Sequence, residues 1–173
     1  MALAGAHDPA HGAASAGRAP KLGELLAPAR VKVPLVGRNK DAVLDELVEL
    51  VTRAEHVESE LEVIRNAVRE RERVLSTGIG EGVAIPHAKY DGLPDIVMAA
   101  GVSQDALEYG ALDGRPVRLF FLILGPGSAA GLQVRILSRV GRLLRDSRLR
   151  KRLESAADAE EFLRVLEEAE AAG

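Results

Sequence analysis

Cysteine is absent from the 173 residues. That excludes a disulfide framework, a thiolate metal site and a thiol nucleophile; separately, no metal and no cofactor are expected. Tryptophan is absent too and aromatics reach only 3%, so Leu, Val, Ile and Ala must build the core. No apolar run approaches the length of a membrane span; the longest, Val117 to Leu124, is interrupted by Arg118. The formal net charge is only -3, which argues against nucleic-acid binding driven by overall charge. Neither a nucleic-acid partner nor membrane insertion is therefore expected, and the lack of thiols fits a cytoplasmic protein. What remains is 47% hydrophobic and 28% charged residues, the balance of an ordinary globular chain, at a length sufficient for one domain with a core.

The first twenty residues are mostly Ala, Gly and Pro, among them Ala13, Ala14, Gly17 and Pro20. They lack the continuous apolar stretch of a secretory signal and bury too little to offset their ordering entropy. A disordered tail over 1–20 and a single domain over 21–173 are expected. Within that domain a short helix is read at Lys21 to Leu26. Val31, Val33 and Leu35 alternate with polar or Pro residues and form a strand, placed at an edge by Pro34. Asn39 is an N-cap for a helix burying Leu44, Leu47, Val48 and Val51. A second helix is read from Ser59, with Glu62 completing a capping box, and with Leu61, Ile64 and Val68 on its apolar face. Strands follow at Val83 to Ile85, Ile96 to Val102 and Val117 to Leu124, the last a buried central strand ended by Gly125-Pro126-Gly127. Asp113-Gly114 marks a turn. A third helix carries Val134, Leu137, Val140 and Leu144, and a last one, capped by Asp158 and Glu161, carries Phe162, Val165 and Leu166. This irregular alternation predicts one α/β or α+β layer domain.

Of four histidines, His7 and His11 fall in the tail and His56 precedes a helix with nothing near it to recruit it. His87 has a different context: Ser76-Thr77-Gly78-Ile79-Gly80-Glu81-Gly82, a short strand, then Pro86. Three glycines in five residues can offer backbone N–H groups to a phosphate without a Cβ in the way. Ser76 and Thr77 add hydroxyls. Imidazole titrates near neutrality, so an unprotonated ring nitrogen is available as a nucleophile. Arg71 extends the series Leu61, Ile64, Val68 on the core-facing side of its helix. It either snorkels to water or neutralises phosphoryl oxygens with its forked guanidinium. On these facts alone a structural histidine at a strand end remains the simpler reading, and no Gly-Lys-Ser/Thr follows to make a nucleotide-binding loop.

These residues also carry a resemblance. Arg71-Glu72, Ser76-Thr77-Gly78-Ile79-Gly80 and Gly82-Val83-Ala84-Ile85-Pro86-His87, with their spacing, resemble the fructose/mannitol-type enzyme IIA domain of the bacterial phosphoenolpyruvate-dependent phosphotransferase system. That group includes the nitrogen-related regulatory enzyme IIA. The likeness continues through Ala111-Leu112-Asp113-Gly114-Arg115-Pro116-Val117 and Leu137-Ser138-Arg139, from about residue 21 to the C-terminus. It implies a mixed β-sheet flanked by helices. It further implies that His87 accepts a phosphoryl group from a histidine phosphocarrier protein, with Arg71 helping to hold it. Ser76, Thr77, Gly78, Ile79 and Gly80 are expected to cradle the phosphoryl group.

One departure stands out. The family usually has a second histidine at the start of the third helix; that position is Gln133 here. Glutamine can hydrogen-bond a phosphoryl oxygen or the ring but cannot become cationic. The resemblance implies a phosphotransferase component that passes the phosphoryl group on to an enzyme IIB or keeps it as a regulatory signal. Two alternatives stand beside it. One is a regulatory binding protein whose affinity for a target protein is switched by phosphorylation of His87. The other is a degenerate domain with impaired transfer. A basic stretch from Arg135 to Arg152 is read as solvated helix faces with neighbouring charge pairs, since no aromatics interleave to stack on bases.

Overall fold

The computed structural model describes residues 20–173. A six-stranded mixed sheet lies between two helical layers. The strands are β1 (Val31–Leu35), β2 (Gly78–Gly80), β3 (Val83–Ala84), β4 (His87–Lys89), β5 (Val97–Leu107) and β6 (Val117–Gly125). Their order is β1-β5-β6-β3-β2, with β4 also paired to β6. The helices are α1 (Leu22–Leu25), α2 (Lys40–Ala54), α3 (Leu61–Val74), α4 (Ala130–Leu143), α5 (Ser147–Glu154) and α6 (Ala159–Ala172).

β6 is central because it is apolar on both faces. Leu119, Phe120, Phe121, Leu122, Ile123 and Leu124 are all fully buried, the pattern of a strand covered on both sides. Leu119, Phe121 and Ile123 face the layer of α1, α4, α5 and α6, while Phe120, Leu122 and Leu124 face α2 and α3. Few as the aromatics are, all three Phe lie in these cores. β1 sits at the sheet edge beside β5, as Pro34 requires. Arg118, which breaks the run, turns its guanidinium to the Ser103 carbonyl at 3.2 Å.

β3 and β4 are successive parts of one extended segment running parallel to β6. Val83 pairs with Leu119 and Ala84 with Phe120; beyond the gap His87 pairs with Ile123 and Lys89 with Gly125. The register never slips across Ile85-Pro86. Pro86 has no N–H to give the ladder, but its carbonyl still accepts from Ile123 at 3.0 Å. His87 is thereby fixed to the central strand.

The boundaries depart from the sequence reading in several places, the simplest being β5, which runs on to Leu107 where the expected strand stops at Val102. A 3-10 turn over Glu58–Glu60 precedes α3, which starts at Leu61 with no side-chain cap, so the capping box expected at Ser59 and Glu62 does not form. α4 is rotated: Gln133, Ile136 and Val140 are buried whereas Val134 is 64% exposed. The stripe Val134, Leu137, Val140, Leu144 and the stripe Gln133, Ile136, Val140, Leu144 share their last two members, and packing on the sheet selects the second. The basic stretch splits into the end of α4 and a separate α5, anchored by Leu149 and Leu153. The tail expected over 1–20 falls outside the described residues apart from Pro20, whose carbonyl accepts from Arg139 at 2.7 Å. Asn39 and Asp158 cap α2 and α6 as their types suggest.

Candidate functional site

β4 pairs with β6 on one side only. Against its other side α3 and α4 approach and leave a cavity of about 450 Å³. Arg71 and Ala67 from α3, His87 and Lys89 from β4, and Gln133, Val134 and Leu137 from α4 line it.

His87 is half-buried at the start of β4. Its Nδ1 lies 2.9 Å from the Ile85 carbonyl oxygen. A carbonyl can only accept, so Nδ1 carries the proton and Nε2 keeps its lone pair. Burial holds the ring's pKa below its ordinary value of 6.5. The Ile85 carbonyl opposes that shift, the charge of Arg71 adds to it, and the charge of Glu72 opposes it. The outcome is a neutral imidazole at physiological pH with one nitrogen fixed and the other available, the form a nucleophile needs.

Arg71 ends α3 on the cavity side and donates from Nη1 to the Leu75 carbonyl at 2.9 Å. That bond uses one of its five N–H groups. Gln133 is 4% exposed and its Nε2 makes a long 3.4 Å contact with the Ala88 carbonyl. The rotation of α4 puts the amide here. Lys89 was not singled out from sequence. Its place beside His87 follows only once β4 is known to be a strand, whose period of two sends both side chains to one face.

Arg71, His87 and Gln133 therefore share one cavity; the segment Ser76 to Gly80 does not line it. Thr77 is buried and turned inward. Its Oγ1 donates to Glu72 Oε2 at 2.6 Å, its N–H to Glu72 Oε1 at 2.9 Å, and its hydroxyl lies 3.0 Å from the Tyr109 hydroxyl. The Ser76 hydroxyl accepts from the Gly78 N–H at 3.2 Å. Gly78 to Gly80 form β2, antiparallel to β3. Gly78 is required there because a Cβ would come within 2.8 Å of Ala111. Gly80 has φ +101°, which suits only glycine. Ile79 is 43% exposed and, with Gly80, borders a separate cavity shared with Arg142, Arg145 and Arg150. The glycine-rich segment thus serves here as the hairpin that leads into the strand bearing His87.

Residues 24–169 match the family model described as phosphoenolpyruvate-dependent sugar phosphotransferase system, EIIA 2. The fructose-specific EIIABC component of Bacillus subtilis is 34% identical over 146 residues, 84% of this chain but 23% of that protein. A nitrogen regulatory protein of Pseudomonas aeruginosa is 33% identical over 146 residues, 84% of this chain and 94% of that protein. Among solved structures, the nitrogen regulatory protein IIA-Ntr of Neisseria meningitidis superposes with a TM-score of 0.77 at 28% identity, covering 84% of this chain and 98% of that one.

Proposed function

The chain belongs to the phosphoenolpyruvate-dependent sugar phosphotransferase system EIIA 2 family, a phosphotransferase component, and from that premise we propose that His87 is its phosphoryl acceptor. The observation that carries this is the fixed tautomer: Nδ1 donates to Ile85, and Nε2 takes no hydrogen bond from the described residues. In the step, the Nε2 lone pair attacks the phosphorus of a phosphohistidine on a histidine phosphocarrier protein. The new P–N bond forms as the old one breaks, and the carrier's imidazole leaves with its electron pair. No proton needs to move, because Nδ1–H stays on the Ile85 carbonyl throughout.

Transfer of this kind asks for positioning and charge stabilisation. Arg71 supplies the fork of donors for the phosphoryl oxygens and Lys89 a second positive charge. Gln133 supplies neutral donors where a second imidazole would supply a charged one. The domain that does this spans 21–173, and the phosphoryl group passes on to an enzyme IIB. A second reading is favoured by the match over 94% of the Pseudomonas aeruginosa nitrogen regulatory protein: phosphate on His87 is then a mark that changes affinity for a target protein.

The test is incubation with phosphoenolpyruvate, enzyme I and the small phosphocarrier, followed by intact mass. One added phosphoryl group is expected, and none in His87→Ala. An unmodified wild-type chain, beside a labelled control enzyme IIA, overturns the reading. Subsequent loss of the label to an enzyme IIB supports transport, and its retention supports the regulatory mark.

A further inference from the structure

Among the described residues Glu72 is the only charged one that is buried as a whole, at 6% exposure. It lies in the last turn of α3. Burial there is doubly unfavourable: a carboxylate taken out of water loses its hydration, and the carbonyl end of a helix repels negative charge. The carboxylate is nevertheless held ionised. Burial pushes its pKa up, but bonds from the Thr77 hydroxyl and N–H and from Lys40 outweigh that and bring it below the ordinary range. Lys40 Nζ lies 2.9 Å from Oε1 and also donates to the Tyr109 carbonyl at 3.1 Å. The ammonium sits 4.3 Å from the Tyr109 ring centre.

A chain of hydrogen bonds leads from this cluster to the reacting ring. Glu72 clamps Thr77 through both its N–H and its hydroxyl. The Thr77 carbonyl accepts from the Ile85 N–H at 3.0 Å. The Ile85 carbonyl in turn accepts from His87 Nδ1 at 2.9 Å. The clamp also fixes the end of α3, one residue from Arg71. We propose that Glu72 and Thr77 are positioning residues: the buried clamp sets the peptide of Ile85, and so the tautomer and direction of the His87 ring, together with the helix end that presents Arg71. This rests on His87 being the phosphoryl acceptor. A carboxylate is suited to the task because it accepts two donors from one residue at once, which an apolar side chain of the same volume cannot do. The geometry gained is the return for the desolvation of Glu72.

The experiment uses the full chain as wild type, Thr77→Val, Thr77→Ser and Glu72→Gln. Two readouts are taken: steady-state phosphorylation by the phosphorylated carrier, and the tautomer of His87 from the ¹⁵N resonances of its ring. Thr77→Val keeps the N–H bond and loses the hydroxyl. It is expected to lower kcat by about 10- to 100-fold, the range seen when a reacting group is displaced by an ångström or less. KM for the carrier should stay within about twofold, and the ring should shift from Nδ1–H toward a mixture of tautomers. Thr77→Ser should restore both, and Glu72→Gln should resemble Thr77→Val. If Glu72→Gln does not fold, the Thr77 pair decides. An unchanged tautomer in folded Thr77→Val, or a loss of rate that Thr77→Ser does not rescue, overturns the proposal. A wild-type chain that takes no phosphate overturns the acceptor reading instead, while the ring resonances still test the clamp.

Discussion

The cavity at His87 and the cluster beneath it are separated by a single peptide bond, the one between Arg71 and Glu72, yet they treat hydrogen bonds in opposite ways. In the cluster almost every capacity is used: both Glu72 oxygens, the Thr77 hydroxyl and N–H, and the Lys40 ammonium all have partners. In the cavity Arg71, His87 and Gln133 are each held by one bond, to the Leu75, Ile85 and Ala88 carbonyls, and their side chains have no second hydrogen-bond partner among the described residues. A saturated network in low dielectric is rigid, whereas unsatisfied donors around a space are what an incoming anion can recruit. On the proposed reading the cluster holds the site and the cavity residues act in it, so substitutions on the two sides should differ in kind.

The largest expected effect of a cavity-side change short of His87 itself is that of Arg71→Ala. Removing a donor aimed at developing charge costs about 10²- to 10³-fold in rate. A half-exposed side chain whose bond is to its own helix end should change stability by no more than about 1 kcal/mol. Phosphorylation rates and thermal melts measured together check this; unchanged rates with a large stability loss would move Arg71 to the structural side of the comparison.

A smaller gain is expected from Gln133→His. A protonated imidazole gives a charge-assisted hydrogen bond roughly twice as strong as that of a neutral amide, so transfer should quicken by about tenfold, the equivalent of 1.4 kcal/mol. Gln133 is buried against Ala88, so the histidine has to fit a space shaped for an amide. A slower variant with an unaltered melt would mean that the glutamine is matched to this protein's own partner.

The smallest effect is the pH dependence. His87 is held below its ordinary 6.5 by burial, with the charge of Arg71 adding to that. The ring should therefore stay a nucleophile as pH falls past 6.5, and the acceptance rate should decline only further into the acid range. Between the two pKa values the unfolded chain binds more protons than the folded one, so stability rises with pH across that window and is lost as pH falls from 6.5 toward the folded value. A rate profile already bending above 6.5 would show that burial does not keep the ring neutral.

Much of the layer architecture was legible without coordinates. β6 reads as central because six consecutive apolar residues demand cover on both faces, and β1 as an edge because Pro34 cannot donate to a ladder. Asn39 and Asp158 announced their helices. The short segments were less legible. Gly78 to Gly80 and His87 to Lys89 are strands too brief for any periodicity to register, and they become strands only because β6 stands beside the second and β3 beside the first. Glycines that suggested a phosphate cradle are explained in the fold by the nearness of Ala111 and by a left-handed turn.

What the sequence by itself determined was local chemistry: an imidazole at His87 behind a proline, an arginine at the end of a helix, and a glutamine where the family usually has a second imidazole. What only the tertiary structure decided was direction. Thr77 could have faced a phosphate and instead faces Glu72. Gln133 could have faced water and is buried at the cavity because α4 packs through Ile136 rather than Val134. Lys89 joins the cavity because β4 runs in register with β6. Residue type and spacing fix what a side chain can do and which neighbours share its stripe. Which stripe turns inward depends on surfaces far away in the chain, and these meet only when the sheet and both helical layers close around them.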